Sequence, residues 1–333
     1  MALLKSGIKL PDEYIDQLPK LEMGNINALV VANRSHALVE EEEQRHTKEI
    51  KRIARSIIKN PEIKVITVAG PSSSGKTTFA HRLARELTSF GLQPEAISLD
   101  NFFVDRHETP INEEGDRDYE VIEAVDVNLY RQLINKLLDG ETVQLPKYNF
   151  ISGSREPGET IIPSLNTVYL VEGLHGMNPL ITDVVPSEHK ISVYVSPASV
   201  YTVDNGLEIN PWDVRLLRRM VRDQRCRGAE PEVTFQRWPM VRNGEKKYII
   251  PFAKDADFHF NSGLHYELGI LKPFAYVLLN KVDGASTYQE QANQLMKVLR
   301  PVHPILCDVP DDSILREFIG GCSVNSEDIL IES

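Results

Sequence analysis

Apolar positions along this chain alternate between two spacings. From His36 to Lys59 they recur at helical intervals, with Ile50, Ile53 and Ile57 on one face behind the charged stretch EEEEQRHTKE. There the glutamates precede the lysines and arginines, an order that suits the helix dipole. Ile63 to Ala69 is a short apolar run rich in β-branched residues, the pattern of a strand covered on both faces. Helical spacing returns from Lys76 through Phe79, Leu83 and Leu87, with Gly91 as a stop. Pro94 to Leu99 reads as a second strand and ends in Asp100. Asp126 to Leu138 is a helix with Leu129, Leu133 and Leu137 in register, stopped by Gly140. Thr167 to Val171 is a further buried strand, running into Glu172-Gly173, and Ile191 to Val195 is another. Trp212 to Arg227, the phrase HYELGILKP and Gln289 to Leu299 are helical, and Ala256-Asp257 closes an expected strand. Ile26 to Val31 reads equally as a short strand or a helix start, and Val143 to Pro146 leads into an expected loop, YNFISGSREPGE. Strands separated by helices predict an α/β fold of three layers, with a mainly parallel central sheet and helices on both faces.

Composition narrows the function. At 333 residues the chain can bury a sizeable core, and 41% hydrophobic with 26% charged residues is ordinary for a globular protein. A net charge of −11 gives no general attraction to DNA or to a membrane surface, so an anionic ligand must be held by local positive features. No apolar run is long enough to span a bilayer, and MALLKSGIKL lacks a secretory core. The three cysteines are few and far apart, which points to a reducing, cytoplasmic setting without a disulfide framework or zinc site. None of the nine histidines has metal-ligand spacing.

Gly70 to Thr77 fits G-x-x-x-x-G-K-[ST], the phosphate-binding P-loop, and it has a strand before it and a helix after it. Gly70 and Gly75 let the backbone turn tightly and approach a phosphate closely. Amides of Ser72, Ser73, Ser74 and their neighbours can then line one concavity, completed by the first helical residues, Thr77 and Thr78. Lys76 supplies a mobile charge to the β- and γ-phosphates of ATP, and Thr77 a hydroxyl for the accompanying Mg2+. Asp100, at a strand end beside this loop, lies where open α/β sheets place ligands. Glu172 ends an apolar strand downstream, the arrangement in which a carboxylate meets magnesium directly or through water. The helix Trp212 to Arg227 carries six arginines, with Arg215, Arg218 and Arg222 on one face. Arginine pairs with phosphate oxygens bidentately. A helical, arginine-rich lid over the transferring phosphate is therefore expected.

These residues resemble the uridine kinase and phosphoribulokinase group of P-loop kinases, over roughly Lys64 to Leu278. The phrases ISLDNFFVDR, LPKYNF, VEGLHGMNP, RLLRRMVRDQRCRG and SILREFIGG are most similar to bacterial uridine-kinase-related proteins, which carry a threonyl-tRNA-synthetase-like region ahead of the kinase. Some sixty residues precede the loop here, so that region is expected to be mostly absent. The resemblance implies Asp100 as the base that accepts the acceptor hydroxyl proton. It also implies Phe103, Tyr119 and Tyr148 as aromatic contacts to the acceptor, and Glu120 as the acid on a ribose diol. It implies Glu172 near magnesium and Arg215 and Arg218 as substrate- and phosphate-binding arginines. Uridine kinases continue the tyrosine phrase to a base-reading histidine; this chain has Gly153 there.

The expected organisation is a helical appendage over 1–60, a P-loop kinase domain over 61–310 and a tail over 311–333 packed on it. The expected activity is ATP-dependent, magnesium-requiring phosphorylation of a nucleoside or sugar-like hydroxyl. Lys76, Asp100 and Arg218 are its catalytic residues, with Arg218 and Arg222 on the donor. A kinase for a phosphorylated sugar or other non-nucleoside metabolite, a regulatory nucleotide binder with little transfer activity, and a homo-oligomer all stay open.

Overall fold

The structure, a computed structural model, describes residues 18–322 except 114, 204 and 205. The outermost parts of the expected appendage and tail, 1–17 and 323–333, lie outside the described residues. Strand β1 (Lys20–Glu22) leads into helices α1 (Met23–Val31) and α2 (Ser35–Ile58), so the ambiguous stretch at Ile26 is helical. Then come β2 (Val65–Ala69), α3 (Lys76–Ser89), β3 (Gln93–Ser98) and α4 (Val127–Leu138). Strands β4 (Val143–Asn149) and β5 (Ser154–Ile161) follow, then β6 (Thr167–Gly173), β7 (Lys190–Ser196), β8 (Val200–Val203) and β9 (Leu207–Ile209). The chain closes with α5 (Pro211–Arg227), α6 (Pro231–Tyr248), β10 (Phe258–Asn261), α7 (Glu267–Leu279) and α8 (Gln289–Leu299), plus a last helical turn at Arg316–Ile319.

The central sheet has the order β10-β7-β2-β6-β3, and every pair in it is parallel. Both β2 and β6 are buried at every position. Their side chains alternate between two apolar clusters: Ile66, Val68, Val168 and Leu170 belong to one, Val65, Tyr169 and Val171 to the other. That alternation is why a near-continuous apolar run makes a strand covered on both faces. Register then sets the site: Ala69 lies opposite Gly173, and Ser98 opposite Glu172, so β2, β6 and β3 end at one level. Helix α2 is part of this body. Its Ile50, Ile53 and Ile57 sit in the same cluster as Phe79 and Leu83 of α3, and its Glu43 pairs with Arg82 at 3.2 Å.

Three features depart from the sequence reading. The expected loop after Pro146 is a β4-β5 hairpin, closed where the Gly153 amide donates to the Asn149 carbonyl (2.7 Å) and Gly153 takes φ +73. The strand expected to end at Asp257 instead begins at Phe258, because the Asp257 carboxylate accepts from the Ser192 amide and hydroxyl (both 2.8 Å) and anchors the strand start. Helix α6 has no clear apolar period and contains Pro239. The expected arginine-rich lid helix, α5, is packed against α6, α7 and the last helical turn, with eleven of its residues buried.

Candidate active site

Strand β2 ends at Ala69 and the chain enters the glycine loop at once. A Cβ at Gly70 would lie 2.0 Å from the Val195 carbonyl oxygen, and one at Gly75, where φ is +88, would lie 2.4 Å from Ile314 Cγ2. Ser73 takes the left-handed conformation (φ +57), and the Ser74 amide donates to the Pro71 carbonyl at 3.2 Å. Helix α3 begins at Lys76, so its positive end faces the concavity. Lys76 Nζ donates to the Pro71 carbonyl at 3.2 Å.

When loop amides turn inward, the carbonyls of the same peptides turn outward and need donors. Arginines of α5 provide them. Arg215 Nε donates to the Ser72 carbonyl (3.1 Å), and Arg218 Nη1 to those of Ser73 and Ser74 (3.5 and 3.4 Å). Glu245 holds Arg215 through two bonds of 2.7 and 2.6 Å. Burial opposes both charges of that pair, yet each partner favours the charged form of the other: Arg215 is raised and Glu245 lowered from its ordinary value. Arg218 pairs with Glu267 at 2.7 Å, both fully buried.

Over the loop opens a cavity of about 570 Å³. Ser72, Ser73, Lys76 and Thr77 form its floor. Asp100 and Phe103 enter from the segment after β3, Glu172 and Gly173 from the end of β6. Ser98 Oγ donates to Glu172 Oε1 at 2.8 Å, which fixes the carboxylate at the floor. Phe103 meets Tyr119 and Phe150 edge-on, with centroids 5.4 and 6.2 Å away. Glu120 lines the same end; burial pushes its carboxyl up, against the pull of Arg219. Arg219, Arg222 and Arg227 of α5 and Arg237 of α6 make the opposite wall. Arg219 Nη1 donates to Ser72 Oγ at 2.9 Å, and both Arg219 and Arg222 pair with Asp223.

Ten of the anticipated residues thus meet in one cavity: Ser72, Ser73, Lys76, Thr77, Asp100, Phe103, Tyr119, Glu120, Glu172 and Arg222. Gly70, Ser74, Gly75 and Thr78 build the loop and the start of α3 beneath it; Thr78 Oγ1 donates to Glu317 at 2.9 Å. Three other anticipated residues do not line that cavity. Tyr148 is fully buried behind Phe103 (5.7 Å), and burial pushes its hydroxyl up to about 12. Arg215 and Arg218 are 2% and 0% exposed and bond the outward carbonyls of the loop. The sequence reading did not single out Arg106, Arg117, Arg237 or Glu317. Arg106 carries its own signal once the fold is known: a Cβ at Gly153 would lie 2.5 Å from Arg106 Nε, so the glycine leaves room for the guanidinium.

Among the described residues no cluster of three or more metal-ligating side chains occurs. The Thr77 hydroxyl and Glu172 carboxylate are a sparse oxygen set in one cavity, which fits magnesium, an ion that keeps waters and binds phosphate oxygens alongside one or two protein groups. Also among the described residues, no helix is long and apolar enough to cross a membrane.

The sequence profile of the phosphoribulokinase / uridine kinase family matches residues 65–267. A uridine kinase of Deinococcus deserti is 28% identical over 195 residues, covering 58% of this chain and 84% of that one. A uridine kinase of Chlamydia pneumoniae is 32% identical over 198 residues, covering 58% and 79%. Among solved structures, D-glycerate 3-kinase from Cryptococcus neoformans superposes with a TM-score of 0.45 at 13% identity, over 62% of this chain and 89% of that one.

Proposed function

The chain belongs to the phosphoribulokinase / uridine kinase family and is a phosphotransferase; from that premise we propose that it moves the terminal phosphoryl group of ATP to a hydroxyl of a small acceptor, with Asp100 as the base. One observation carries the reading: Lys76 and Thr77 of the loop, Glu172 of β6 and Asp100 beyond β3 converge on one cavity. The loop amides and Lys76 hold the phosphates. Magnesium, held by Thr77 and Glu172, would supply charge neutralisation at the β- and γ-oxygens. Asp100 accepts a hydrogen bond from the acceptor hydroxyl, aligns its oxygen with the γ-phosphorus and takes the proton as the new P–O bond forms. The bond from the γ-phosphorus to its bridging oxygen breaks, and ADP leaves. Arg219 and Arg222 face the charge that spreads over the transferring group.

Steady-state turnover and equilibrium ATP binding of Asp100→Asn test this. Turnover is expected to fall about 10²- to 10⁴-fold while ATP affinity stays within about threefold. Unchanged turnover overturns the role of Asp100.

For the acceptor, a nucleoside is the reading that the curated relatives favour. A second reading rests on Arg106. It crosses Gly153, where uridine kinases place their base-reading histidine, and donates to the carbonyls of Phe150 and Ile151 at the acceptor end of the cavity. Arg117 joins it by donating to the Arg106 carbonyl. Two guanidiniums there suit an acceptor that carries a phosphate or carboxylate. Phosphorylation of nucleosides but no sugar phosphate, in a radiolabelled-ATP panel, selects the first reading; the converse selects the second.

A further inference from the structure

Glu317 lies beyond the residues that the family profile matches, yet its side chain forms part of the cavity wall. The segment that carries it is wedged under the phosphate loop. Ser313, Ile314, Leu315 and Phe318 are fully buried, and Ile314 occupies the space a Cβ on Gly75 would need. The Phe318 ring lies under the Arg218 guanidinium, 5.0 Å from its centroid. Arg225 donates to the carbonyls of Glu317 (3.2 Å) and Phe318 (3.3 Å), which fixes the backbone. So placed, Glu317 is 6% exposed, and its Oε2 accepts from Thr78 Oγ1 at 2.9 Å.

Thr78 is in the first turn of α3, directly after Thr77. In a loop of this kind the backbone amides cradle the α- and β-phosphates at the helix start, and the lysine reaches for the β/γ end. The sugar and base of a donor leave from the α-phosphate side. An ionised carboxylate that lines such a site offers only hydrogen-bond acceptors, so the ligand group that meets it must be a donor. Of the donor's groups, the ribose hydroxyls are the hydrogen-bond donors nearest the α-phosphate.

We infer that Glu317 accepts a hydrogen bond from a ribose hydroxyl of the nucleoside triphosphate, so that this C-terminal segment selects the sugar of the phosphoryl donor. The inference rests on the triphosphate reading given above. Arg222 and Arg227 in the same wall offset the repulsion between the carboxylate and the phosphates.

Equilibrium binding of ATP, 2′,3′-dideoxyATP and inorganic tripolyphosphate tests it, on the unaltered chain and on Glu317→Gln and Glu317→Ala. The unaltered chain is expected to prefer ATP to the dideoxy compound by about tenfold or more, the worth of one charge-assisted hydrogen bond. Both variants are expected to lose that preference while tripolyphosphate binding stays within about threefold. Equal affinity of the unaltered chain for ATP and dideoxyATP overturns the inference, and this arm needs no variant to fold. A variant that weakens all three ligands alike also overturns it, because Glu317 would then act only as a strut for Thr78. Absence of tripolyphosphate and ATP binding to the unaltered chain instead removes the phosphate-loop reading itself, and the sugar inference with it.

Discussion

Gly70 and Gly153 are constrained by different neighbours, and the difference sets what a methyl group would do at each. At Gly70 the obstacle is the backbone carbonyl of Val195 on the adjacent strand β7, which is held in the ladder and cannot step aside. Gly70→Ala is therefore expected to cost about 1–3 kcal/mol of stability through forced backbone movement. ATP binding should weaken along with it, because the same movement spoils the amide cradle. Urea unfolding and calorimetric titration measure the two effects. At Gly153 the obstacle is Arg106 down to its Cβ (2.7 Å), and φ is +73, so an added methyl strains the hairpin tip as well as crowding the guanidinium. There Gly153→Ala should displace the arginine, and its first effect should be a raised KM for the acceptor with the KM for ATP little changed; equal shifts in both would refute the placement of Arg106 at the acceptor end.

Helix α5 shows what an element can hide when read as a string. Its spacing announces a helix, and its six arginines announce phosphate chemistry, but spacing alone does not say which arginine meets which neighbour. That is decided by Glu267 and Glu245, carboxylates on two other helices, and by the outward carbonyls of Ser72 to Ser74. The loop, by contrast, was legible because its strand, glycines, lysine and helix are contiguous. The β4-β5 hairpin was not, because β5 (SREPGETI) buries only Ile161 and gives no apolar alternation. Removing one member of the buried Arg218–Glu267 pair leaves an uncompensated charge, so Arg218→Met is expected to cost about 3–5 kcal/mol. The double variant Arg218→Met with Glu267→Met should regain most of that stability without regaining ATP affinity, since the donors to the Ser73 and Ser74 carbonyls stay lost. Recovery of both together would reduce the pair to packing alone.

At the scale of the molecule, two buried histidines tie stability to pH. Burial brings His175 down to about 4, and burial together with the charges of Arg45, Arg82 and Arg218 holds His46 well below its ordinary value. The unfolded chain takes up protons at these sites near pH 6.5 and the native one does not, so stability is lost as pH falls from about 6.5 toward 4. His175 alone accounts for roughly 3 kcal/mol of that loss. Glu245 and Asp223, whose carboxyls are lowered in the fold although burial opposes it, add to the loss at the acid end. Denaturant midpoints at pH 7.5 and 5 should therefore differ clearly, and His175→Leu should narrow the gap; an unchanged gap would discharge His175 from that role. The parallel sheet has a consequence for how the chain reaches this state. Val65 of the central strand pairs with Tyr169 on one side and Lys190 on the other, so the strand that leads into the phosphate loop is made long before either flanking partner exists. During synthesis it stays an unzipped, sticky ribbon until the start of the second half of the polypeptide, through Ser196, has left the ribosome, and shielding by chaperones is most needed in that interval.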